Sequence, residues 1–195
     1  KIDNQQAMIM TMCYSLEDKK YVESNVHRLE VYRDKIKSLE AMSVKDVAAE
    51  LRGWEGASAK IYFEALNIVL PDYLKFRERT QHPARDPVNA FLNYGYGILY
   101  GKIESALIQA GIDPYIGILH REEYNRPFLV YDIIEIFRIW VDYIVYDLAC
   151  QNVITDDYYS VAANGGIWLV NLGRRIIIQS INDYFNVLIQ LIGFS

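Results

Sequence analysis

The feature that most constrains the fold is a helical spacing of apolar residues along nearly the whole chain. Between Tyr21 and Met42 the apolar side chains recur every three or four positions, and charged residues fill the opposite face. This pattern is typical of an amphipathic α-helix that packs one face against a core. Because no series of alternating apolar and polar residues indicates a set of β-strands, the sequence predicts an all-α fold.

The same reasoning predicts where the helices begin and end. Asp86-Pro87 is a strong start signal, because an acidic acceptor precedes a proline at the first helical position. Gly53 is expected to separate two helices, and Gly111 to end a third. The predicted helices cover residues 4–16, 21–42, 43–52, 54–69, 87–110, 127–150 and 174–192, with two shorter elements before the last.

Two local patterns within these helices carry further expectations. Ser43 with Asp46 three positions later resembles a capping box, with Asp in place of Glu or Gln. Gly95, Gly97 and Gly101 lie inside one predicted helix, where each costs about 1 kcal/mol relative to alanine. Glycines retained at such a cost usually allow another backbone to approach closely, so we expect a close neighbour there.

Length and composition indicate a globular protein. The chain has 195 residues, enough for one α-helical domain over residues 1–195, and we also consider it a candidate fragment of a longer protein. No apolar run reaches the roughly 18 residues that a bilayer span needs, and no secretory signal or disulfide pattern is visible. We therefore expect a cytoplasmic protein without a membrane partner. The net charge of −5 decides little about nucleic acid, because residues 1–85 sum to +1 and residues 86–195 to −6.

Two carboxylates interrupt one of the most apolar stretches of the chain. Asp132 and Glu135 lie within residues 128–137 and are neighbours on one helix face. Buried carboxylates are normally paired with a cation or bound to a metal. His120 lies just upstream, and Glu55 is flanked by small residues that leave room around it. Three carboxylates and one imidazole would form a mostly oxygen site suited to Mg²⁺ or Mn²⁺.

A structural role for the same residues remains open at this point. Asp132 and Glu135 could pair with Arg126 and Arg138, and Glu55 could be a first-turn acid favoured by the helix dipole. A di-iron bundle is a poorer fit, because the three histidines form no Glu-x-x-His motif. The sequence also lacks a P-loop, a nucleophile elbow and a dinucleotide-binding glycine motif.

Four segments together resemble one known family. They are KIDNQQAM, GWEGASAKIYFEAL, DPVNAFLNYGYGILYGKIESALIQAGIDPYIGILH and NRPFLVYDIIEIFR, and they follow one another at plausible spacing. The chain is similar to CRISPR-associated protein 1 over nearly its whole length, specifically to the helical C-terminal catalytic lobe. The resemblance implies a metal-dependent DNA endonuclease and integrase. With CRISPR-associated protein 2, it would insert short DNA fragments (prespacers) into a CRISPR repeat array for antiviral defence.

The resemblance also assigns roles to individual residues. Glu55, His120 and Glu135 match the family's metal ligands, and Asp132 matches the acid beside them, so all four are the implied catalytic residues. The implied cofactor is Mg²⁺ or Mn²⁺. The family's N-terminal β lobe, which contributes to its homodimer, has no counterpart in this sequence, so the resemblance leaves the assembly of this chain open.

Six further residues are weaker candidates for DNA contact. Tyr100 matches a family tyrosine near the site, although packing in the core would explain it equally well. The arginines in the loop over residues 76–86 would contact phosphates or belong to a solvated loop, and the two that flank the acids would bind phosphate or balance charge. These five arginines are Arg77, Arg79, Arg85, Arg126 and Arg138.

Two other classes of protein compete with the integrase hypothesis. One is a catalytically silent helical module that binds DNA or serves assembly in the same complex. The other is a metal-dependent hydrolase of small molecules, which would need an enclosed pocket. The integrase hypothesis predicts an open groove with a basic rim instead.

Overall fold

The computed structural model describes residues 1–14, 16–17, 19–40, 44–117 and 126–193, excluding the side chains of residues 44, 45 and 192. This part of the chain forms six α-helices, one two-stranded sheet and three short 3₁₀ helices, which confirms the predicted all-α class. None of its helices combines the length and hydropathy that a bilayer span requires. The α-helices are α1 (Ile2–Met12), α2 (Lys19–Lys37), α3 (Val44–Leu66), α4 (Pro87–Gln109), α5 (Phe128–Cys150) and α6 (Asn171–Ile192).

The chain divides into two compact units, and the first comprises Lys1–Val69 and Lys102–Ile139. In this unit α1, α2 and α3 pack against one another. Ile9, Leu29 and Leu66 are fully buried, so the apolar stripe of each helix supplies the core. Gln6 strengthens the contact, because its Nε2 donates a hydrogen bond to the carbonyl oxygen of Val26 at 3.1 Å.

The second unit comprises Leu70–Gly101 and Trp140–Ser195. Its fully buried side chains include Phe91, Val145 and Ile177, which come from α4, α5 and α6. The small sheet contacts α6, as does the 3₁₀ helix Asp156–Tyr158. The single domain expected over residues 1–195 stays a prediction.

The start and end of α4 follow the sequence signals closely. A carboxylate oxygen of Asp86 accepts a hydrogen bond from the backbone N–H of Asn89 at 2.7 Å, which satisfies a donor of the first turn. Pro87 is the first helical residue. Gly111 follows the helix with a φ of +72°, a conformation that favours glycine.

The expected break at Gly53 is wrong. The helix α3 runs without interruption from Val44 to Leu66 and contains both Gly53 and Gly56. A glycine inside a helix costs about 1 kcal/mol, and the packing of α3 against α1 and α2 offsets that cost. The capping box expected at Ser43 lies outside the described residues.

The three glycines of α4 do not accommodate another backbone. A Cβ added at Gly95 would lie 2.5 Å from Cγ1 of Val141, so a side chain occupies that space. A Cβ added at Gly97 or Gly101 would meet no atom of the described residues within 4 Å. The expectation of a close neighbour is therefore confirmed at Gly95, where that neighbour is a side chain, and the described residues provide no such neighbour at Gly97 or Gly101.

A short antiparallel hairpin lies where the sequence predicted no strand. Strand β1 (Tyr159–Val161) pairs with β2 (Ile167–Leu169), and Ser160 lies opposite Trp168. Gly165 has a φ of +73° in the connecting turn. The helix ends also differ from prediction, because α2 ends at Lys37 rather than at residue 42 and α6 begins at Asn171 rather than at residue 174.

Candidate active site

The first unit brings Glu55 and Glu135 to the same cationic group. Glu55 lies in the middle of α3, and Glu135 lies near the start of α5. The Nζ atom of Lys1 is 2.6 Å from Oε1 of Glu55 and 2.5 Å from Oε2 of Glu135. Two carboxylates that are eighty positions apart in the sequence therefore share one ammonium.

Local contacts hold the three segments in this arrangement. The side-chain amide of Asn4, in the first turn of α1, donates a hydrogen bond to the carbonyl oxygen of Ile136 at 2.9 Å. This bond ties the start of α1 to α5 directly beside Glu135. On α3, the fully buried Ser58 donates from its hydroxyl to the carbonyl oxygen of Glu55 at 2.9 Å. This second bond lies within α3 and satisfies the buried hydroxyl of Ser58.

Arg138 contacts the other oxygen of Glu135. Its Nη2 atom lies 3.0 Å from Oε1 of Glu135, so the expected ion pair between these two residues is confirmed. The pair engages only one carboxylate oxygen, because Oε2 lies against Lys1. The alternative explanation of Glu55 as a first-turn acid is wrong, because α3 begins at Val44.

The electrostatic environment favours an ionised Glu55. Partial burial by itself raises the pKa of the Glu55 carboxyl. The charge and hydrogen bond of Lys1 and the charge of Arg138 act against burial, and the pKa lies below its ordinary value. The side chains of Lys1, Glu55 and Glu135 are 22%, 35% and 19% exposed, so solvent screens these charges only in part.

Of the other two predicted site residues, Asp132 lies within the described part of the structure and His120 does not. Asp132 is half-buried on α5, one helical turn before Glu135. His120 lies outside the described residues. Within the described ranges, no three His, Cys, Asp or Glu side chains converge in a way that could hold a metal ion. The structure therefore brings together two of the four predicted residues, Glu55 and Glu135.

The donor chemistry of this pair fits a hard divalent cation. The Lys1 ammonium takes the place of a metal cation. One carboxylate oxygen from each of two helices lies within hydrogen-bonding distance of it. Mg²⁺ and Mn²⁺ prefer such carboxylate oxygens, and an imidazole as a further ligand is acceptable to Mn²⁺ in particular. Glu55 and Glu135 are thus suitable ligands in type, charge and convergence.

The weaker candidates for DNA contact occupy varied environments. Arg77 and Arg126 are exposed, and Tyr100 is half-buried on α4. Arg85 is also exposed, and its Nη1 donates to the carbonyl oxygen of Asn164 at 2.8 Å. Exposure leaves these arginines accessible to phosphate, and their contact with DNA stays a prediction.

Arg79 has a different environment from the other loop arginines. Its guanidinium donates to the carbonyl oxygen of Thr80 at 2.6 Å, to the side-chain oxygen of Asn89, and to that of Asn93 at 2.7 Å. It also lies over the ring of Tyr96, 5.3 Å from the centroid. Because these donors are engaged within the second unit, the structure favours a structural role for Arg79.

Sequence reasoning missed Lys1 as a site residue. The family segment KIDNQQAM begins with Lys1, but that segment does not indicate a role in the site, because the partners of Lys1 lie 54 and 134 positions further along the chain. A general signal was available, since two neighbouring carboxylates in an apolar environment require a cation. That requirement does not say which lysine or arginine supplies the charge.

The mainly helical fold of the described residues agrees with the family that the sequence resembles. Residues 1–183 match the model of the family described as CRISPR associated protein Cas1. Because this match covers most of the chain, the protein belongs to the Cas1 family.

Curated relatives support the same assignment. The chain is 39% identical over 126 residues to a protein of Thermodesulfovibrio yellowstonii named CRISPR-associated endonuclease Cas1 1, covering 64% of this chain and 40% of the relative. It is 39% identical over 145 residues to the identically named protein of Thermus thermophilus, covering 72% of this chain and 45% of the relative. The chain thus spans less than half the length of these two relatives.

Solved structures show a similar architecture. A chain of a partial Cas6-RT-Cas1–Cas2 complex matches 94% of this chain with a TM-score of 0.80 and 25% identity, over 55% of its own length. A Cas1 protein of Thermotoga maritima matches 95% of this chain with a TM-score of 0.78 and 20% identity, over 56% of its own length. The second likeness supports the fold alone.

Proposed function

We propose that this chain is the helical catalytic part of a divalent-metal-dependent DNA endonuclease and integrase of CRISPR adaptation. The convergence of Glu55 and Glu135 on one cation carries this proposal. Membership of the Cas1 family and the endonuclease names of the relatives support it. The proposed reaction inserts a short DNA fragment into a CRISPR repeat array.

Three residues are the proposed metal ligands. Glu55, Glu135 and His120 would hold Mg²⁺ or Mn²⁺, the first two through the oxygens that now lie against Lys1. Such an ion, when bound, supplies positive charge at a phosphoryl oxygen and lowers the pKa of a neighbouring hydroxyl. Arg138 orients Glu135, because the ion pair at 3.0 Å holds Oε1 and leaves Oε2 facing the site.

Asp132 is the proposed positioning residue. Its place one turn before Glu135 on α5 puts it on the same side of the helix. From there it would position a second ion, a water molecule, or the ring nitrogen of His120 that is not used for the metal. An imidazole held in one orientation is a better metal ligand, so loss of Asp132 should weaken metal binding. Because the ligands themselves stay in place, the effect should be smaller than that of losing a ligand.

The proposed chemistry is a transesterification. The 3′-hydroxyl oxygen of the incoming DNA forms a bond to a phosphorus of the target strand, and the phosphorus–oxygen bond to the target's 3′ oxygen breaks. The hydroxyl proton passes to solvent, and the leaving oxygen takes up a proton. One phosphodiester replaces another, so no nucleotide cofactor is required. Water in place of the hydroxyl gives endonuclease cleavage.

The proposed partners are the DNA fragment, the CRISPR repeat and CRISPR-associated protein 2. A solved Cas1–Cas2 complex with a chain similar to this one supports the protein partner. A homodimer, as the family forms, is the proposed assembly, although this chain spans only part of its relatives. The exposed arginines Arg77, Arg85 and Arg126 are the proposed contacts to phosphate.

A catalytically silent module for DNA binding or assembly is the second candidate. One observation favours it: Lys1 and Arg138 already neutralise the two carboxylates, as in a structural ion-pair network. Such a module would bind DNA equally well with and without a divalent ion. The active and silent alternatives therefore differ in their response to metal.

The test is turnover of branched DNA by the chain with Mn²⁺ or Mg²⁺, with and without a chelator, and with CRISPR-associated protein 2 added for integration. We expect metal-dependent cleavage and strand transfer that His120→Ala abolishes. His82→Ala is the matched control, because His82 is exposed on a loop of the second unit. Metal-independent DNA binding without turnover would support the silent module and contradict the proposal.

A further inference from the structure

We propose that Lys1 is a built-in competitor of the metal: its ammonium holds the Glu55–Glu135 pair together in the metal-free protein and must leave when a divalent ion binds. This inference rests on the proposed function, because it concerns the same two carboxylates. It adds a residue that regulates metal occupancy rather than one that binds metal.

The geometry makes the two cations mutually exclusive. The Lys1 ammonium lies 2.6 Å from Oε1 of Glu55 and 2.5 Å from Oε2 of Glu135, so it contacts one carboxylate oxygen from each helix. A divalent ion bound to those same oxygens would lie within a few ångströms of the ammonium. Two like charges at that separation repel strongly in a partly buried site. The ammonium therefore has to move before both oxygens can contact a metal.

The charges of the site lead to the same conclusion. Glu55 and Glu135 contribute two negative charges, and Lys1 and Arg138 contribute two positive ones, so the four side chains are neutral together. Displacing the Lys1 ammonium gives the carboxylate pair with Arg138 a net charge of −1. A site with a net negative charge attracts a cation more strongly, so removal of the lysine charge should favour metal binding.

Lys1 is suited to leaving, whereas Arg138 is suited to staying. The lysine ammonium is a point charge on a flexible four-carbon stem, and the side chain remains 22% exposed, so a path to solvent exists. Arg138 lies on the same helix as Glu135, three positions later, and contacts the oxygen that faces away from Lys1. Arg138 can therefore continue to orient Glu135 after the ammonium has moved.

The test measures Mn²⁺ binding to the 195-residue chain directly, with no DNA present. The electron paramagnetic resonance signal of free Mn²⁺ reports how much of the metal is unbound. We expect Lys1→Met to bind Mn²⁺ about tenfold more tightly than the unsubstituted chain, because the competing state is removed. Lys60→Met is the matched control: Lys60 is an exposed residue of α3, and the change in net charge is the same. It should leave the affinity unchanged.

A second variant separates loss of charge from loss of packing. Lys1→Arg keeps a competing cation and should bind Mn²⁺ no more tightly than the unsubstituted chain. If Lys1→Met binds Mn²⁺ equally or more weakly while Glu55→Gln abolishes binding, Lys1 organises the site and the competition is refuted, but the proposed metal site stands. If none of these proteins binds Mn²⁺, both proposals fail.

Discussion

Glu55 and Glu135 share one ammonium, although α3 and α5 carry them eighty positions apart in the sequence. The Nζ atom of Lys1 contacts one oxygen of each at 2.6 Å and 2.5 Å. Their convergence is a property of the fold, since no local pattern in either helix specifies it. The proposed metal site depends on that convergence.

Removal of the Lys1 charge should destabilise the metal-free protein. Lys1→Met leaves two half-buried carboxylates close together, and of the cations that the described ion pairs place beside them Arg138 remains, so their repulsion is less well balanced. Because the side chains are partly exposed, solvent screening limits the expected loss to about 1–2 kcal/mol. Urea denaturation in the presence of a chelator measures this loss.

Lys60→Met is the comparison for this experiment, because it removes the charge of an exposed lysine on α3. Its unfolding free energy should stay within about 0.5 kcal/mol of the unsubstituted chain. Equal stability of the two variants would mean that the Lys1 contacts contribute nothing net.

Substitutions at two loop arginines should distinguish a structural role from a DNA-binding role. Arg79→Met removes hydrogen bonds to Asn89 and Asn93 and the contact with Tyr96, so we expect a loss of about 1–3 kcal/mol in the free energy of unfolding. Arg77→Met, two positions earlier at an exposed site, should leave stability within about 0.5 kcal/mol.

Affinity for DNA, unlike stability, should depend on Arg77. Arg77→Met should weaken binding and reduce its salt dependence by about one unit of slope, because one phosphate contact is lost. A titration at several salt concentrations measures the slope. An unchanged slope for Arg77→Met would remove this residue from the candidate DNA contacts.

Two glycines of α4 should respond oppositely to the same substitution. A Cβ at Gly95 would lie 2.5 Å from Cγ1 of the fully buried Val141, whose branched side chain has little rotamer freedom. We expect Gly95→Ala to cost about 1–3 kcal/mol. Gly97→Ala meets nothing within 4 Å and should stabilise the helix by up to about 1 kcal/mol. Thermal unfolding compares the two. Destabilisation by Gly97→Ala would contradict the open space at that position, and an unchanged stability of Gly95→Ala would contradict the packing described for Gly95.

The cap of α4 should make stability depend on pH. Burial raises the pKa of the Asp86 carboxyl above its ordinary value, although hydrogen bonds from Asn89 and the charge of Arg79 act in the opposite direction. A carboxyl whose pKa is raised on folding contributes most stability below its unfolded pKa and loses that contribution as pH rises through the folded value.

Asp86→Ala isolates this contribution. We expect it to cost about 1–2 kcal/mol at neutral pH, because the cap to Asn89 is lost. The cost should be larger at pH 4 than at pH 7, and urea denaturation at the two values measures the difference. A cost that grows from pH 4 to pH 7 would mean that the pKa of Asp86 is lowered rather than raised.

Local signals predicted the parts of the fold that depend on neighbouring residues. Asp86-Pro87 begins α4 as expected, because capping acts within one helical turn. The signal at Gly53 failed, because a local propensity of about 1 kcal/mol is smaller than the packing of a long helix. The hairpin could have been recognised, since Asn164-Gly165-Gly166 separates two short runs of strand-forming residues.

The candidate site was predictable only in part. Glu135 was predicted by its apolar context, because a carboxylate in such surroundings needs compensation. Glu55 was predicted by the small residues around it, and family resemblance indicated both. Lys1 could not be predicted, since its contacts span 54 and 134 positions and depend on how α1 packs. The structural role of Arg79 could not be predicted either, because its side-chain partners Asn89 and Asn93 lie on the following helix and carry no charge.

The most direct test of the central claim is Mn²⁺-dependent turnover of branched DNA by the unsubstituted chain and by Glu135→Gln. This substitution keeps the shape of the side chain but removes the charge of a proposed ligand. The account predicts turnover that requires Mn²⁺, that a chelator stops, and that Glu135→Gln reduces at least about 100-fold while the helical content is retained. Turnover by Glu135→Gln at the unsubstituted rate would contradict the account.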